Sequence, residues 1–87
     1  MSVGAALVAQ AIVMINTDVG KENDIFNELL KIDEVKKVYM VYGIHDLVVF
    51  VEAENMDKLR TLITDKIRKL DGVKSTLTSV IVTGKEK

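Results

Sequence analysis

The only histidine of the chain, His45, stands directly before Asp46 in the segment Gly43-Ile44-His45-Asp46. An imidazole and a carboxylate can form an acid–base pair, or they can anchor a polar ligand. Neighbouring residues of a strand or tight turn point to different sides, so two consecutive residues make a poor catalytic dyad. The simpler interpretation is structural: Asp46 closes a hairpin turn by accepting a hydrogen bond from a backbone N–H. The sequence alone leaves both interpretations open.

A second polar set lies near the C-terminus, in the segment Thr76-Leu77-Thr78. In a strand, Thr76 and Thr78 share one face, while Ser75 and Ser79 lie on the other. Paired hydroxyls can bind a carboxylate or an α-amino group. Threonine also favours strands for reasons of packing alone, so a purely structural interpretation stands beside the binding one.

Composition excludes most other chemistry. The 87 residues contain no cysteine and one histidine, which argues against thiol nucleophiles, iron–sulfur clusters and multi-histidine metal sites, so no metal or cofactor is predicted. The net charge of −1 provides no field that would attract nucleic acid. Tyr39 and Tyr42 are two of four aromatic residues, but the aromatic and basic run of RNA-binding sheets is absent from residues 46–53.

The apolar stretch over residues 3–15 is too short to span a membrane. It covers about 13 residues and contains Gln10, whereas a spanning helix needs about 20 apolar residues. No basic residue precedes Ala5, so a secretory signal is not indicated either. We therefore expect a cytoplasmic protein that does not contact a membrane.

The elements that position these residues follow the order β-α-β-β-α-β. Strands are predicted over residues 8–15, 35–42, 47–53 and 73–83, and helices over residues 21–31 and 55–70. Residues 1–6 form a loose start and residues 84–87 a polar tail, so residues 1–87 make one domain with a core of about 8–83. Right-handed crossovers place both helices on one face of a four-stranded antiparallel sheet. The predicted fold class is α+β, ferredoxin-like.

Two apolar stripes predict the buried faces of the helices. The first helix carries its stripe at Ile25, Phe26, Leu29 and Leu30. In the second helix, Asn55 is the predicted N-cap, and Gly72 follows the end in a left-handed conformation. The predicted stripe of the second helix consists of Met56, Leu59, Ile63, Ile67 and Leu70.

The face of the sheet away from the helices is also apolar. Both alternating sets of residues are apolar: in strand one Ala9, Ala11, Val13 and Ile15 point one way and Val8, Ile12 and Met14 the other, and in strand three Leu47, Val49 and Val51 oppose Val48 and Phe50. A contiguous apolar patch usually marks an interface, so we expect a second copy of the chain to pack sheet on sheet across a two-fold axis. The alternative is that strongly twisted strands and the N-terminal segment cover this face within one chain.

Two segments together resemble a known family. Val41-Tyr42-Gly43-Ile44-His45-Asp46-Leu47-Val48 and the run Gly72-Val73-Lys74-Ser75-Thr76-Leu77-Thr78 look like the effector-binding (RAM) domain of the Lrp/AsnC regulators. The turn Asp18-Val19-Gly20-Lys21 fits the same pattern, and the resemblance covers about residues 8–83. The resemblance rests on the combination of a G-x-x-D motif with a downstream G-V-x-x-T-x-T motif.

The resemblance implies a dimeric α/β-barrel arrangement, with sheet-on-sheet dimers that often assemble into rings such as octamers or decamers. It further implies that a small molecule, typically an amino acid, binds between dimers. Carried over to this chain, Gly43 brings its backbone close to the ligand, Asp46 accepts from an α-ammonium group, and Thr76 and Thr78 hold the carboxylate. Tyr42 and His45 are additional candidate binding residues.

One departure from the family concerns DNA binding. Its transcription factors carry a helix-turn-helix domain before the RAM domain, and these 87 residues leave no room for one. The leading hypothesis is a non-catalytic, stand-alone effector sensor that modulates transcription or amino-acid metabolism indirectly. Two alternatives remain: an adaptor that forms hetero-oligomers with full-length regulators, and a small dimeric α/β-barrel enzyme with His45 as its general base.

Overall fold

The computed structural model describes residues 8–85 and contains the predicted β-α-β-β-α-β order. The strands are β1 (Ala9–Thr17), β2 (Val35–Met40), β3 (Leu47–Ala53) and β4 (Val73–Val80), and the helices are α1 (Glu22–Leu30) and α2 (Met56–Thr61). The predicted loose start over residues 1–6, and the proposal that the N-terminal segment covers the sheet, concern residues outside the described range. The bounds of β3 match the prediction, whereas β2 and β4 end two and three residues earlier than predicted.

The four strands form one antiparallel sheet in the order β2-β3-β1-β4. This order confirms the ferredoxin-like fold. Alternate residues of β1 and β3 are buried against the helices, because successive side chains of a strand point to opposite faces. The buried apolar core of the described residues consists of Ala9, Ala11, Val13, Ile15, Ile25, Leu29, Leu47, Val49, Val51, Ala53, Leu59, Leu62 and Ile67.

The apolar stripe of α1 is narrower than predicted. Ile25 and Leu29 are buried, and Phe26 packs against the core from a partly buried position. Leu30 was predicted to be buried as well, but it is 56% exposed. Leu30 is the last residue of α1 and lies 100° around the helix axis from the buried Leu29, so its side chain faces away from the core.

The second helix is not α-helical throughout, which corrects the predicted stripe. Asn55 caps α2 as predicted, because its Oδ1 accepts the backbone N–H of Lys58 at 2.8 Å. Residues Leu62–Ile67 then continue as a π-helix, which ends before the predicted end at Leu70. In a π-helix the N–H bonds to the carbonyl five residues earlier, and the Arg68 N–H accordingly lies 2.9 Å from the Ile63 oxygen.

The π-helix changes which side chains reach the core. A regular helix would bury Leu59, Ile63 and Ile67 at spacings of four, whereas the structure buries Leu59, Leu62 and Ile67 at spacings of three and five. Ile63 is only partly buried, and Met56 is 46% exposed. The five-residue spacing matches the wider turn, so the π-helix accounts for the shift from Ile63 to Leu62.

Gly72 joins the end of the second helix to β4 in a left-handed conformation, with φ +96°. A β-carbon at this position would lie 2.8 Å from the β-carbon of Lys21, so the close approach also requires glycine. The Gly72 carbonyl accepts the backbone N–H of Asp18 at 2.8 Å. Glycine was predicted here as a helix cap, but the helix ends at Ile67. Gly72 instead joins the start of β4 to the turn before α1 through its hydrogen bond with Asp18.

Within residues 8–85, no helix or strand covers the sheet face opposite the helices. It presents Ile12 and Met14 of β1, Val48 and Phe50 of β3, and Tyr39 and Leu77 of the outer strands. Tyr39 and Leu77 are half exposed, and the Tyr39 and Phe50 rings meet edge to face with centroids 6.1 Å apart. We call this set of six side chains the open face. The sequence predicts an apolar face that the helices leave open, and Ile12, Met14, Val48 and Phe50 agree with it, whereas Tyr39 and Leu77 were not predicted to lie there.

Candidate functional site

The connection between β2 and β3 is tied to the end of β1. The Val41 N–H donates to the Asp46 carbonyl at 3.0 Å, which closes the connection into a hairpin. The Asp46 N–H donates to the Ile15 carbonyl at 2.9 Å. These backbone bonds hold the position from which the Asp46 side chain extends, while Tyr42, Gly43 and Ile44 at the tip are exposed to solvent.

The Asp46 carboxylate is anchored through one of its two oxygens. Oδ2 accepts the backbone N–H of Thr17 at 2.8 Å and lies 3.2 Å from the Thr17 hydroxyl. The prediction that the Asp46 side chain accepts a backbone N–H is confirmed, but the prediction that this bond closes the hairpin turn is wrong. The donor, however, belongs to β1 and not to the turn that contains Asp46.

Thr17 connects this carboxylate to the start of α1. Its hydroxyl lies 3.4 Å from Oε1 of Glu22, and the same Glu22 oxygen accepts the Gly20 N–H at 2.9 Å. Thr17 is the one buried polar residue among the described residues, with 8% exposure. Sequence reasoning missed Thr17 and Glu22, because their contact with Asp46 depends on strand pairing that no local pattern contains. The polar end of an otherwise apolar β1 was the available signal.

His45 and Asp46 point to different sides of the sheet, as predicted for neighbouring residues. The His45 ring places Nδ1 2.8 Å from Oδ1 of Asn16, and Asn16 belongs to the same face of β1 as Met14. Since an amide oxygen only accepts, Nδ1 carries the proton in this pair. His45 therefore lies beside the open face. The enzyme alternative requires its general base to lie in a cleft between the helices and the sheet, and His45 does not lie there.

Thr76 and Thr78 lie on the helix side of β4, at one edge of the sheet. They pair with Ile15 and Val13 of β1, respectively. Thr76 lines a polar cavity of about 280 Å³ together with Arg68 and Lys74. Thr78 lines a separate, mostly apolar cleft of about 210 Å³ between α2, its π-helical continuation and β4.

Within one chain, the six predicted binding residues form two groups. Tyr42, Gly43, His45 and Asp46 lie at the β2–β3 connection, whereas the two threonines lie on β4. Ile15 separates Leu47 from Thr76 in the same row of the sheet. Both Ile15 and Leu47 are fully buried, so the helix side of the sheet has no space for a ligand between the two groups.

Residues 8–85 contain no cluster of three metal-ligating side chains. No helix in this range is long and apolar enough to cross a membrane.

Comparison with known proteins gives a consistent match. Residues 10–85 match the model of the Lrp/AsnC ligand-binding domain. An uncharacterised helix-turn-helix transcriptional regulator of Pyrococcus horikoshii is 32% identical over 76 residues, which cover 87% of this chain and 48% of the regulator. The chain thus spans about half the length of the curated relatives that it matches.

Solved structures agree with this match. The crystal structure of FFRP-DM1 has a TM-score of 0.83 and 38% sequence identity, covering 85% of this chain and 99% of the other. The feast or famine regulatory protein of M. tuberculosis, complexed with L-methionine, shares the fold at a TM-score of 0.79. Its sequence identity is 24%, over 100% of this chain and 59% of that protein.

Proposed function

Because the chain belongs to the Lrp/AsnC ligand-binding domain family, we propose that it is a non-catalytic effector-binding module that takes up an amino acid. In this proposal the domain acts as an oligomer and reports the effector to the transcription machinery indirectly. The observation that carries the proposal is the anchored carboxylate of Asp46. One oxygen is fixed by Thr17, and the other oxygen has no hydrogen-bond partner among the described residues.

An anchored carboxylate is suited to bind an α-ammonium group. Two Thr17 donors hold Asp46 in place before any ligand arrives, so little side-chain entropy is lost on binding. A charged hydrogen bond of this kind contributes about 1.5–3 kcal/mol. The exposed backbone of Gly43 three residues earlier lets a ligand approach the same connection closely.

The carboxylate of the amino acid is assigned to β4 of a different subunit. Leu47 and Thr76 flank Ile15 on either side, so two strand spacings of about 4.8 Å each separate them. The buried Ile15 and Leu47 side chains fill the space between them on the helix side. A ligand that contacts both groups therefore fits best between two dimers, at a contact other than the open face. The L-methionine complex of the M. tuberculosis relative is consistent with an amino acid as effector.

The subunits themselves are proposed to associate through the open face. Full burial of an exposed large apolar side chain gains about 1.5–3 kcal/mol, and each of these six, all partly exposed, gains a fraction of that while burial removes the patch from water in both copies. A second copy of this chain is the simplest occupant. The same face also suits the sheet of a full-length regulator, which keeps the adaptor hypothesis as the second candidate function.

The effector proposal is tested with the twenty amino acids as probes. A ligand at about 100 times its dissociation constant adds about 2.7 kcal/mol to native stability, so a thermal-shift panel reveals it. Asp46→Asn retains an acceptor for Thr17 but removes the charge, and it is expected to weaken binding at least tenfold. Glu22→Gln removes a charge from the same network and is the matched control, with unchanged affinity expected.

A flat panel would refute the amino-acid proposal. Equal weakening by Asp46→Asn and Glu22→Gln would show that overall negative charge, and not Asp46, binds the ligand. For the adaptor hypothesis, the chain is mixed with a full-length Lrp/AsnC regulator, and analytical ultracentrifugation detects a mixed oligomer. Only separate homo-oligomers would count against that role.

A further inference from the structure

The Thr17 hydroxyl lies between the carboxylates of Asp46 and Glu22. Its oxygen is 3.2 Å from Oδ2 of Asp46 and 3.4 Å from Oε1 of Glu22. A threonine hydroxyl has one hydrogen to donate, and an ionised carboxylate only accepts. Only one of the two contacts is therefore a hydrogen bond at any moment, and the other brings two oxygens together with no hydrogen between them.

The two positions of the hydroxyl hydrogen differ by the rotation of a single O–H group. The backbone N–H of Thr17 stays bonded to Asp46 at 2.8 Å in either position, so β1 does not have to move. Thr17 is only 8% exposed, which limits competition from water for the hydroxyl hydrogen. The hydrogen therefore goes to whichever of the two carboxylates is the stronger acceptor.

The charge on Asp46 decides between the two acceptors. The contact with Asp46 is the shorter of the two, so a free Asp46 carboxylate takes the hydrogen. Hydrogen bonds to an ionised acceptor are about twice as strong as those between neutral groups. When the charge of Asp46 is neutralised, the Glu22 carboxylate becomes the stronger acceptor, and the hydroxyl turns toward it.

Glu22 connects the hydroxyl to the turn that precedes α1. The oxygen that faces Thr17 also accepts the backbone N–H of Gly20 at 2.9 Å. The Lys21 N–H closes this turn by donating to the Asp18 carbonyl at 3.0 Å, and the Asp18 N–H donates to the carbonyl just before β4. A second donor on Glu22 holds its carboxylate in place, so the Gly20 bond and the turn become more stable.

We infer that the Thr17 hydroxyl is a switch that transmits the charge of Asp46 to the turn over residues 18–21. A free Asp46 holds the hydroxyl and leaves the turn looser, whereas a neutralised Asp46 releases the hydroxyl to Glu22 and tightens the turn. Both sites act on the same two-position hydroxyl, which is the physical requirement for coupling between them.

The switch rests on the proposed function for its input, which is an ammonium group bound to Asp46. It names how this input leaves the binding site. Val19 lies in the turn and is fully exposed, so a neighbouring subunit can contact the segment that changes. The switch itself responds to the charge of Asp46, and it is therefore testable without a ligand.

The test measures solvent exchange of the Gly20 amide by NMR in the unliganded protein. Asp46→Asn removes the charge and keeps an acceptor for the Thr17 N–H. We expect this variant to slow exchange of the Gly20 amide at least about threefold, because the hydroxyl then bonds to the Glu22 carboxylate. Asp46→Asn also lowers the free energy of unfolding, and that effect alone would accelerate exchange. Slower exchange is therefore specific to the switch.

Two Thr17 variants show whether the hydroxyl transmits the effect. In Thr17→Val, which has no hydroxyl, adding Asp46→Asn should not slow Gly20 exchange. In Thr17→Ser, which keeps a hydroxyl, adding Asp46→Asn should slow it as in the unmodified chain. Asp24→Asn removes a charge from an exposed residue in the first turn of α1 and should have no effect. Unchanged or faster exchange in Asp46→Asn, or equal slowing in the Thr17→Val background, would overturn the inference.

L-Methionine as a probe separates this inference from the proposed function. If L-methionine binds in an Asp46-dependent way and slows Gly20 exchange, both are supported. If it binds in this way with Gly20 exchange unchanged, the effector proposal holds and the switch is wrong. If Asp46→Asn slows Gly20 exchange while none of the twenty amino acids binds, the switch holds and the amino-acid proposal is wrong. Glu22→Gln keeps an oxygen acceptor for the hydroxyl, so it stays the control for affinity.

Discussion

Replacing Asp46 by alanine should destabilise the protein even when no ligand is present. The substitution removes the acceptor that lies 2.8 Å from the Thr17 backbone N–H, and Thr17 is only 8% exposed. A lost charged hydrogen bond that leaves a buried donor unpaired costs about 1.5–3 kcal/mol. The Thr17 hydroxyl can still turn to Glu22, at 3.4 Å, so its loss adds little. We therefore expect the free energy of unfolding to fall by about 1.5–3 kcal/mol.

Two further variants test whether this reasoning identifies the correct bond. Asp46→Asn keeps a neutral acceptor for the Thr17 N–H, so we expect a cost of about 0.5–1.5 kcal/mol. Thr17→Val removes only the hydroxyl, leaves the backbone N–H bonded to Asp46, and should cost less than Asp46→Ala. The order of stability is expected to be unmodified protein, then Thr17→Val and Asp46→Asn, then Asp46→Ala.

Urea unfolding monitored by circular dichroism provides the measurement. All variants are compared at one protomer concentration, because assembly would make the apparent stability depend on concentration. For a domain of this size, 1 kcal/mol corresponds to about 4–8 °C in Tm, so Asp46→Ala should lower Tm by at least about 6 °C. The weakest hydrogen bonds contribute about 0.5 kcal/mol. A free energy of unfolding for Asp46→Ala that lies within about 0.5 kcal/mol of the value for the unmodified protein would refute the argument.

Two other predictions concern assembly and backbone conformation. Leu77 belongs to the open face and is 54% exposed, so Leu77→Glu should reduce the assembly to single chains in sedimentation velocity experiments. The control Leu30→Glu, at a residue of α1 that is 56% exposed, should leave the mass unchanged. Equal masses for the two variants would contradict a sheet-on-sheet interface. Gly72→Ala should cost at least about 2 kcal/mol in urea unfolding, because left-handed strain of about 1–2 kcal/mol adds to a contact with Lys21 at 2.8 Å. Gly20 has a φ of +85°, but a β-carbon added there would have no atom within 4 Å, so Gly20→Ala should cost only the left-handed strain. Equal costs for Gly72→Ala and Gly20→Ala would show that the contact with Lys21 contributes nothing.

The order of the elements was predictable because the strands and helices have different hydrophobic periods. β3 is a continuous β-branched run, and its predicted bounds agree with the structure. The strands are apolar at both alternating sets of positions, which predicted that one apolar face stays uncovered by the helices; Met14 and Phe50 lie on that face. What failed was the assumption of 3.6 residues per turn throughout, which assigned Ile63 to the core in place of Leu62.

The candidate site was predictable only in part. Gly43, Asp46, Thr76 and Thr78 came from a resemblance to a family pattern, and their binding roles remain predictions. The anchor at Thr17 was not predictable, because it depends on the pairing of β1 with β3 over 29 residues of sequence. The two cavities on β4 depend on where the second helix lies, which periodicity alone does not determine.

The π-helical segment Leu62–Ile67 also determines how this chain should be aligned with its relatives. Hydrogen bonds that span five residues instead of four accommodate one additional residue between anchors that stay in place. Leu59 on one side and Ile67 on the other are both fully buried, so the packing fixes these ends independently of the segment between them. The segment thus has the geometry of a one-residue insertion absorbed within a helix. An alignment with a relative whose second helix is α-helical throughout should open a single gap between residues 62 and 67, and a one-residue deletion there should preserve the fold while removing the wall of the cleft.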